Sequence, residues 1–317
     1  MKVCVIKTSS MGDVIHTLPA LTDAQRAIPN LSIDWVVEEN FAEIPRWHSA
    51  VKQIIPIALR RWRKSPFSAQ TKNEWKSYRT LLQANQYDAV IDAQGLFKSA
   101  FFATRLANGI KHGYDRKSIR EPIASFFYDK KYTISYQQHA VERIRQLFSQ
   151  ALFYPLPKEK GDYDIARHFI STDSIEPYVI FFHSTTRDEK HWPEREWRNL
   201  IEKLTALSIQ VRLPWGNEKE KTRAERLAVG LSHVVVLPRL SLHELAEQIA
   251  NAKAVVSVDT GLAHLTAALD KPNITLYGAT DPKLIGCYGE NQYYLSASSM
   301  ENIKSDQVFS MLNLLIK

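Results

Sequence analysis

The stretch "SSMGDVIHTLPAL", residues 9–21, decides the fold because it marks a change of local structure. The apolar run 3–6 before it is typical of a buried strand, and apolar residues at helical spacing follow it. A strand that turns sharply into a helix usually carries glycines, which let a phosphate approach the helix N-terminus. Here a single glycine, Gly12, is followed by the carboxylate of Asp13. A negative charge therefore stands where a phosphate would otherwise bind.

The same change from strand to helix recurs along the chain. Helical spacing at 14–27, 75–84 and 97–106 separates the strands of the first half. Turn-forming and charged residues at 154–164 predict a linker, after which the alternation restarts and ends in a helix at 302–316. The predicted strands are 3–6, 33–37, 54–58 and 89–91 before the linker, and 178–182, 209–213, 234–237, 254–258 and 274–277 after it.

Repeated strand–helix units predict parallel sheets covered by helices on both faces, and thus an α/β fold. A chain of 317 residues is long enough for two domains. We place them at 1–160 and 161–300, followed by a C-terminal helix at 301–317. Ligands of open parallel sheets bind beyond the carboxyl ends of strands. The active site is therefore expected in the cleft between the two domains.

The composition indicates a globular protein, since 44% of the residues are hydrophobic and 24% are charged. The apolar runs are too short to cross a bilayer, and the N-terminal segment lacks the apolar core and cleavage site of a signal peptide. The two cysteines, Cys4 and Cys287, lie in different halves. This excludes a disulfide framework and fits a reducing, cytosolic compartment.

Positive charge is concentrated in the first half of the chain. Residues 1–160 contain 24 Lys and Arg against 14 Asp and Glu, whereas residues 161–317 contain 17 against 20. The first half therefore carries a formal charge of +10 and the second −3. A large anionic partner is expected to meet the first half, either nucleic acid or an anionic membrane surface.

Asp13 has two interpretations. As a helix cap, its charge would suit the helix dipole by about 0.3–1 kcal/mol. As a functional group, it would accept a proton from a hydroxyl at a strand's carboxyl end. Because Ser9 and Ser10 are also available as caps, Asp13 is not required for capping. This favours the functional interpretation.

A second strand-to-helix turn lies in "VVSVDTGLAHLTAAL", residues 255–269. Asp259 ends the strand, and Thr260 and Gly261 begin the helix, where exposed N–H groups favour a phosphate. His264 falls one turn into the helix on the same side. A lone helical histidine is more often a partly buried structural group, but the neighbouring turn favours a role in binding.

The loop "HSTTRDEKHW", residues 183–192, follows the predicted strand 178–182. It carries the hydroxyls of Ser184, Thr185 and Thr186 and the cations Arg187 and Lys190. Most charged loops are only solvated, yet consecutive hydroxyls followed by two cations suit a diphosphate. The sequence therefore predicts a second anion-binding loop in the same domain.

Cations and aromatic residues are interleaved in "LRRWRKSPFSAQTKNEWKSYR", residues 59–79. A solvated basic face is the usual explanation of such a stretch. Its density of charge favours contact with the phosphates or carboxylates of an amphiphile or nucleic acid. A second basic cluster at 111–120 includes Arg120.

Signals for a metal site are weak, because the sequence contains no HExxH motif, paired CxxC motif or EF-hand loop. The letters "DYD" at 162–164 match the DxD pattern of some metal-dependent glycosyltransferases. They fall in the predicted linker, and we predict neither a metal site nor a cofactor.

Taken together, "KTSSMGDVIHTLPAL", "HSTTRDEKHW" and "VSVDTGLAHLTAAL" resemble the motifs of the bacterial lipopolysaccharide heptosyltransferases, and "RRWRKS" resembles the type I branch of that family. The resemblance covers essentially the whole chain. It implies two Rossmann-like domains that face a central cleft, the GT-B-type glycosyltransferase architecture. It also implies that the final helix returns toward the N-terminal domain.

The resemblance assigns roles to individual residues. Asp13 matches the family's catalytic base, and Lys190 matches the lysine that neutralises the donor diphosphate. The remaining donor-binding residues are Thr185, Thr186, Glu220, Leu240 (through its main chain), Asp259, Thr260, Gly261 and His264. The expected acceptor-binding residues are Ser10, Arg60, Arg61, Arg63, Lys64 and Arg120.

The implied reaction moves L-glycero-D-manno-heptose from ADP-heptose to the first Kdo of Kdo₂-lipid A with inversion and without a metal. The expected partners are ADP-heptose and Kdo₂-lipid A. The protein is also expected to bind peripherally to the cytoplasmic face of the inner membrane, and no nucleic-acid partner is expected. The carboxylates and phosphates of the acceptor would account for the basic first half. In this interpretation Asp13 faces the acceptor, and the second domain holds the donor phosphates.

Other functions stay open at this stage. Heptosyltransferase II or a nucleotide-sugar epimerase would share the architecture. A nucleic-acid-binding protein would account for the basic half, but no RNP1 sequence, zinc finger or KH-like loop is present. A protein that only binds membranes would leave the second anion loop unexplained.

Overall fold

The computed structural model describes residues 1–169, 176–278 and 281–316 and divides the chain into two compact units, Met1–Asp164 and Ile165–Lys317. Each unit contains one parallel six-stranded sheet with helices packed on it. The predicted α/β class is confirmed. No helix in the described parts of the chain has both the length and the apolarity that a bilayer crossing requires.

The sheet of the first unit has the strand order β3-β2-β1-β4-β5-β6. Its strands are β1 (Lys2–Ile6), β2 (Ser32–Glu38), β3 (Val51–Ile57), β4 (Ala89–Asp92), β5 (Lys111–Tyr114) and β6 (Lys130–Tyr132). The order reverses direction between β1 and β4, which makes their carboxyl ends the switch point of a doubly wound sheet. A ligand site of this unit is therefore expected at the loops that follow these two strands.

The helices of the first unit are α1 (Met11–Ile15), α2 (Leu18–Ala27), α3 (Glu43–Arg46), α4 (Leu59–Trp62), α5 (Ala69–Gln83), α6 (Phe97–Phe102) and α7 (Ala140–Leu152), with 3-10 turns at Glu39–Phe41, Thr104–Leu106 and Pro122–Phe127. The single helix predicted at 14–27 is two helices. Pro19 lies in the first turn of α2, where its missing N–H costs no hydrogen bond. Proline therefore begins a helix here rather than continuing one.

The second unit repeats the same wiring with the order β12-β11-β10-β7-β8-β9. Its strands are β7 (Tyr178–Phe182), β8 (Gln210–Leu213), β9 (Val234–Val236), β10 (Ala254–Val258), β11 (Asn273–Tyr277) and β12 (Gln292–Ser296). Its helices are α8 (Glu194–Thr205), α9 (Glu218–Ala228), α10 (Leu242–Asn251), α11 (Gly261–Ala268) and α12 (Ser305–Leu315), with 3-10 turns at Ala166–His168, Asp188–Lys190 and Met300–Asn302. Here the reversal lies between β7 and β10.

The predicted C-terminal helix exists as α12 and belongs to the core of the second unit. Val308 and Leu312 are fully buried in the same apolar cluster as Trp197 of α8. Ser305 N begins the helix by donating to the Glu196 carboxylate at 2.9 Å. That the chain end also returns toward the first domain stays a prediction.

The first unit extends to Asp164, beyond the boundary predicted at 160, because its side chains hold the linker. The buried Arg145 guanidinium donates to the Asp23 carboxylate at 2.7 Å and to the carbonyl of Glu159 at 2.9 Å. Arg26 pairs with Asp162 at 2.5 Å. Asp162, the first aspartate of the DxD letters, is thus an ion-pair partner within the first unit.

The two cysteines, Cys4 and Cys287, are free thiols. Cys4 lies in the centre of β1, and burial raises the pKa of its thiol far above its usual range. A thiol that resists ionisation is a weak nucleophile and packs as a small apolar group.

Candidate functional site

The predicted residues of the first unit follow alternate strands, β3, β1 and β5, at one edge of its sheet. Asp13 comes after β1, the basic residues 60–64 after β3, and Arg120 after β5. Since adjacent strands lie about 4.8 Å apart, the two basic groups flank the Asp13 loop at about two strand spacings on either side. The prediction that Asp13 stands at the carboxyl end of a strand is confirmed, and this strand is one side of the switch point.

Asp13 caps its own helix with one carboxylate oxygen. Its Oδ2 accepts hydrogen bonds from the Ser10 backbone N–H at 2.9 Å and the Ser10 hydroxyl at 3.0 Å. Its Oδ1 lies 3.5 Å from the ammonium of Lys7. The Asp13 side chain is 45% exposed, so solvent reaches it. Capping and a chemical role are therefore compatible, because the carboxylate retains accessible lone pairs.

The charge of Asp13 is set by its neighbours. Burial alone would raise the pKa of this carboxyl, but the Lys7 ammonium and the hydrogen bonds from Ser10 outweigh burial and lower the pKa below its usual range. Asp13 is therefore ionised at neutral pH, which is the state in which a carboxylate accepts a proton.

Lys7 is a site residue that sequence reasoning missed. Its side chain is 6% exposed, and its Nζ also donates to the Ala93 carbonyl at 2.9 Å. Gln94 makes a second set of contacts to this loop, since its Oε1 accepts hydrogen bonds from the backbone N–H groups of Thr8 and Ser9 at 2.9 and 3.0 Å. The loop after β4 thus fixes the loop that carries Asp13. The available signal was a lysine placed directly after a buried apolar strand.

We predict that Lys7→Met moves the acid limb of the pH–rate profile to higher pH. Lys7 is one of the groups that lower the pKa of Asp13, so removing its charge raises that pKa and protonates Asp13 earlier as the pH falls. The measurement is kcat/KM against pH from the acid range to neutral. An unchanged acid limb in a folded variant would show that Lys7 does not tune Asp13.

The basic stretch is divided between paired and free cations. Arg61 contacts Glu39 at 2.9 Å and Glu74 at 2.8 Å, so its charge is already matched by two carboxylates. Arg63 and Lys64 are exposed, and their side chains form no ion pair within the described residues. The Arg60 guanidinium, also exposed, lies 5.6 Å from the Phe41 ring centroid. The structure thus gives Arg61 a bracing role and leaves its neighbours available to a ligand.

In the second unit the loops after β7 and β10 meet at Asp259. The Lys190 ammonium forms an ion pair with the Asp259 carboxylate, and the Thr185 hydroxyl donates to the Asp259 carbonyl at 3.1 Å. Both side chains of the ion pair are less than one-fifth exposed. The structure therefore brings together residues that are more than sixty positions apart in sequence, at the switch point of the second sheet.

The N-terminus of α11 opens beside this ion pair. Thr260 is the N-cap residue in an extended conformation, and its side chain makes no capping hydrogen bond. Gly261 is the first helical residue, and His264 lies one turn further on as a buried side chain. Ala263 N donates to the Thr260 carbonyl at 3.1 Å, and the N–H groups that precede it in the turn come before the first hydrogen bond of the helix, which makes this end suited to an anion. Thr186 is exposed in the facing loop.

Glu220 and Leu240 follow the next two strands, β8 and β9. Glu220 lies in the first turn of α9, and Leu240 lies in the loop before α10. The Glu220 carboxylate accepts hydrogen bonds from Gly216 N and Asn217 Nδ2, both at 2.7 Å, and so caps α9. Trp215 joins the two loops, because its Nε1 donates to the Leu237 carbonyl at 2.7 Å. Sequence reasoning had not singled out this tryptophan.

The predicted donor residues thus lie in the loops or first helical turns that follow consecutive strands at one edge of the second sheet. In strand order these strands are β10, β7, β8 and β9. A phosphate group suits the first two loops, which carry the cation and the helix N-terminus. The segments after β8 and β9 offer the Glu220 carboxylate and the main chain near Leu240. Within the described residues no three His, Cys, Asp or Glu side chains are grouped as metal ligands would be.

Known proteins resemble the chain over its length. The sequence matches glycosyltransferase family 9 (heptosyltransferase) over residues 75–313. It is 57% identical over 317 residues to lipopolysaccharide heptosyltransferase 1 of Salmonella typhimurium, covering 99% of this chain and 100% of that protein.

Two solved structures are similar at 56% identity. One is the E. coli heptosyltransferase WaaC with ADP, with a TM-score of 0.97 and coverage of 99% of this chain and 100% of that chain. The other is the same enzyme with ADP-2-deoxy-2-fluoro heptose, with a TM-score of 0.94 and coverage of 99% of both chains.

Proposed function

The chain belongs to glycosyltransferase family 9, the heptosyltransferases, and from that premise we propose that it transfers L-glycero-D-manno-heptose from ADP-heptose to the first Kdo of Kdo₂-lipid A. This is the first heptose addition to the inner core of lipopolysaccharide. The observation that carries the proposal is the full-length similarity at 57% identity, combined with a carboxylate at one switch point and a cation with a helix N-terminus at the other.

We assign binding of the donor to the second unit. The diphosphate of ADP-heptose binds to the Lys190 ammonium and to the backbone N–H groups at the start of α11. The hydroxyls of Thr185 and Thr186 lie beside these groups. Asp259 holds Lys190 in place before the donor arrives. His264 and Thr260 line the same helix end. These groups stabilise the negative charge that grows on ADP as it leaves.

The adenosine part of the donor is assigned to the last two loops. Glu220 holds ribose hydroxyls with the lone pairs that its capping bonds leave over, and the main chain near Leu240 contacts adenine. Trp215 keeps these loops together. The similar E. coli structure with ADP-2-deoxy-2-fluoro heptose supports a donor of this class.

Asp13 is the proposed base of the transfer. Its carboxylate takes the proton from a Kdo hydroxyl as that oxygen forms a bond to the anomeric carbon of heptose. The bond from the anomeric carbon to the diphosphate breaks, and ADP leaves with the electron pair. Attack from the face opposite the leaving group inverts the configuration, through a transition state with oxocarbenium character.

The acceptor is assigned to the first unit, which carries the +10 charge. Arg60, Arg63 and Lys64 on one side of Asp13, and Arg120 on the other, offer exposed cations to the phosphates and carboxylates of Kdo₂-lipid A. Ser10 lies beside the base. Because the acceptor is a lipid, the enzyme works at the cytoplasmic face of the inner membrane, as a peripheral protein.

Turnover with purified substrates tests the function. We expect ADP release when ADP-heptose and de-acylated Kdo₂-lipid A are both present and none when either is omitted. Activity only with an already heptosylated acceptor would assign the chain as heptosyltransferase II, and interconversion of the nucleotide sugar alone would make it an epimerase. Salt-dependent binding of duplex or single-stranded DNA in place of acceptor would support a nucleic-acid-binding protein.

The same turnover assay with EDTA tests the need for a metal. We expect the full rate of ADP release in EDTA, because Lys190 and the helix N–H groups stabilise the charge on the leaving group.

The free cations of the basic stretch lead to a separate prediction. Neutralising Arg60, Arg63 and Lys64 together is expected to raise the Kd of the acceptor by about ten-fold or more and to leave the Kd of ADP unchanged, since each exposed contact contributes only modestly. Acceptor binding by the native protein should also weaken with added salt, and binding by the variant should weaken less.

The matched control for this variant neutralises Lys72, Lys76 and Arg79, three exposed cations on α5, and so makes the same change in net charge. Titrations of acceptor and of ADP at low and high salt are compared. An equal loss for both triple variants would show that only overall charge matters. A loss of ADP binding would show that the first variant is misfolded.

A further inference from the structure

An aromatic surface on the first unit has no role in the proposed reaction. We define the aromatic face as the side chains of Phe97 and Phe101 on α6 and of Ile123, Phe126 and Phe127 in the adjacent 3-10 turn. Phe126 is 72% exposed, Ile123 54% and Phe97 38%. Several large exposed apolar side chains close together are uncommon on the surface of a soluble protein, and they usually mark an interaction site.

We propose that the aromatic face docks on an anionic lipid bilayer and holds the first unit at the membrane surface. This inference rests on the proposed function, which makes the acceptor a membrane lipid, and it names the surface of the protein that meets the membrane. The partner is the bilayer itself, and the acyl chains of the acceptor are a separate outcome of the test.

Three members of the aromatic face, Phe97, Phe101 and Phe127, pack on one another. The Phe97 and Phe101 rings stack with centroids 5.4 Å apart, and each packs against the Phe127 ring at 6.0 and 6.2 Å. The Glu121 carboxylate accepts the Phe97 N–H at 2.7 Å and so ties α6 to the start of the 3-10 turn. The exposed Phe126 and Ile123 lie in this same 3-10 turn, next to the packed rings.

The charge around the aromatic face complements an anionic membrane. Residues 97–127 contain six Lys and Arg against two Asp and Glu. Both acids are already engaged, Glu121 by the Phe97 N–H and Asp115 by the Thr133 hydroxyl at 2.5 Å. The guanidinium of Arg105 lies 3.6 Å from the Phe101 ring centroid. Aromatic side chains rimmed by cations are the composition of segments that bind the interface of anionic membranes.

The same helix reaches the loop of the proposed base. Lys98, between the two stacked phenylalanines, donates from Nζ to the Ser9 hydroxyl at 3.4 Å. A bilayer bound at the aromatic face would therefore lie on the helix that contacts the Asp13 loop. This placement suits an acceptor whose acyl chains stay in the membrane while its sugar hydroxyl reaches the base. It favours a lipid surface over a protein partner, because a lipid surface presents apolar chains and anionic headgroups together.

The main test uses the full chain and vesicles without acceptor. Vesicles of phosphatidylethanolamine and phosphatidylglycerol are sedimented with the protein and compared with vesicles of neutral phosphatidylcholine. We expect Ile123→Ser with Phe126→Ser to lower the partition coefficient on the anionic vesicles by about ten-fold or more. The control double variant, Val229→Ser with Leu314→Ser, removes two similarly exposed apolar side chains from the second unit and should bind like the native protein.

A second measurement reports insertion directly. The tryptophan fluorescence of a Phe126→Trp variant should be quenched by vesicles that contain brominated acyl chains. The fluorescence of a separate Leu314→Trp variant should not be quenched by the same vesicles. Quenching at both positions, or at neither, would contradict docking through the aromatic face.

Turnover of the de-acylated acceptor separates this proposal from the proposed function. The Ile123→Ser and Phe126→Ser variant should keep the native rate on that soluble acceptor. If the native protein fails to turn it over, the proposed function fails, whatever the vesicles show. If the variant binds anionic vesicles like the native protein, docking through this face is wrong. Loss of turnover on the soluble acceptor, or a raised KM confined to acylated acceptor in micelles, would instead make this surface part of the acceptor site and overturn the proposal.

Discussion

Replacing Asp13 with alanine is expected to lower kcat by about 10²–10⁴-fold, the usual contribution of a positioned general base. The carboxylate is ionised, solvent-accessible and fixed by Lys7 and Ser10 at the end of β1. Its loss removes the group that would take the proton from the acceptor hydroxyl. Initial rates of ADP release at saturating substrates measure the effect.

The capping role of Asp13 requires its own control. Losing the contact to Ser10 N should destabilise the protein by about 1 kcal/mol. Gln307→Ala removes a side chain from the same capping position of α12, where Gln307 Oε1 accepts Lys304 N at 2.9 Å. This variant should lose similar stability and keep its rate. Asp13→Asn keeps an oxygen for capping yet should be as slow as Asp13→Ala. A fast Asp13→Asn enzyme would reduce Asp13 to a helix cap.

Lys190→Met is expected to lower kcat with ADP-heptose by about 10²–10³-fold, the scale for removing one group that stabilises developing charge. Methionine keeps the length of the side chain and removes the ammonium. The variant also leaves Asp259 without its ion-pair partner, so a carboxylate would face the incoming diphosphate. ADP binding is expected to weaken, while the KM of the acceptor should stay unchanged.

A lysine at the opposite edge of the same sheet supplies the control. Lys253 precedes β10 and is exposed, so Lys253→Met removes the same charge from the same unit away from the site. Its kinetics should match those of the native protein. A Lys190→Met defect confined to the acceptor KM would reverse the assignment of donor and acceptor to the two units.

The strands that sequence predicted are those with buried apolar runs. The strands 178–182 and 254–258 match β7 and β10 at both ends because every residue in them is buried. The strands β5, β6 and β12 were not predicted. Their sequences, KHGY, KKY and QYYLS, lack a run of aliphatic residues. The strands β6 and β12 are edge strands, which pair on one side only and so need less burial.

Motifs located the candidate site but not its internal contacts. The loops of Asp13, Lys190 and Asp259 could be placed at strand ends because a strand-to-helix turn is local in sequence. The hydrogen bonds from the Thr8 and Ser9 N–H groups to Gln94 join residues 86 and 85 positions apart, and only the order of strands in the sheet brings them together. For the same reason the pairing of Arg61 with Glu39 and Glu74 could not be read from a basic stretch.

The repeated strand order has an evolutionary consequence. The two units have the same topology, with Asp13 after the first strand of one and Lys190 after the first strand of the other. With the acceptor assigned to the first unit and the nucleotide sugar to the second, as we propose, a change of acceptor needs new loops in residues 1–164 alone. Relatives that share the second half but add their sugar to a different lipid or glycan are then expected to arise by drift in one half of the gene. Swapping the loops after β3 and β5 between such relatives is the shortest route to a transferase with a new acceptor.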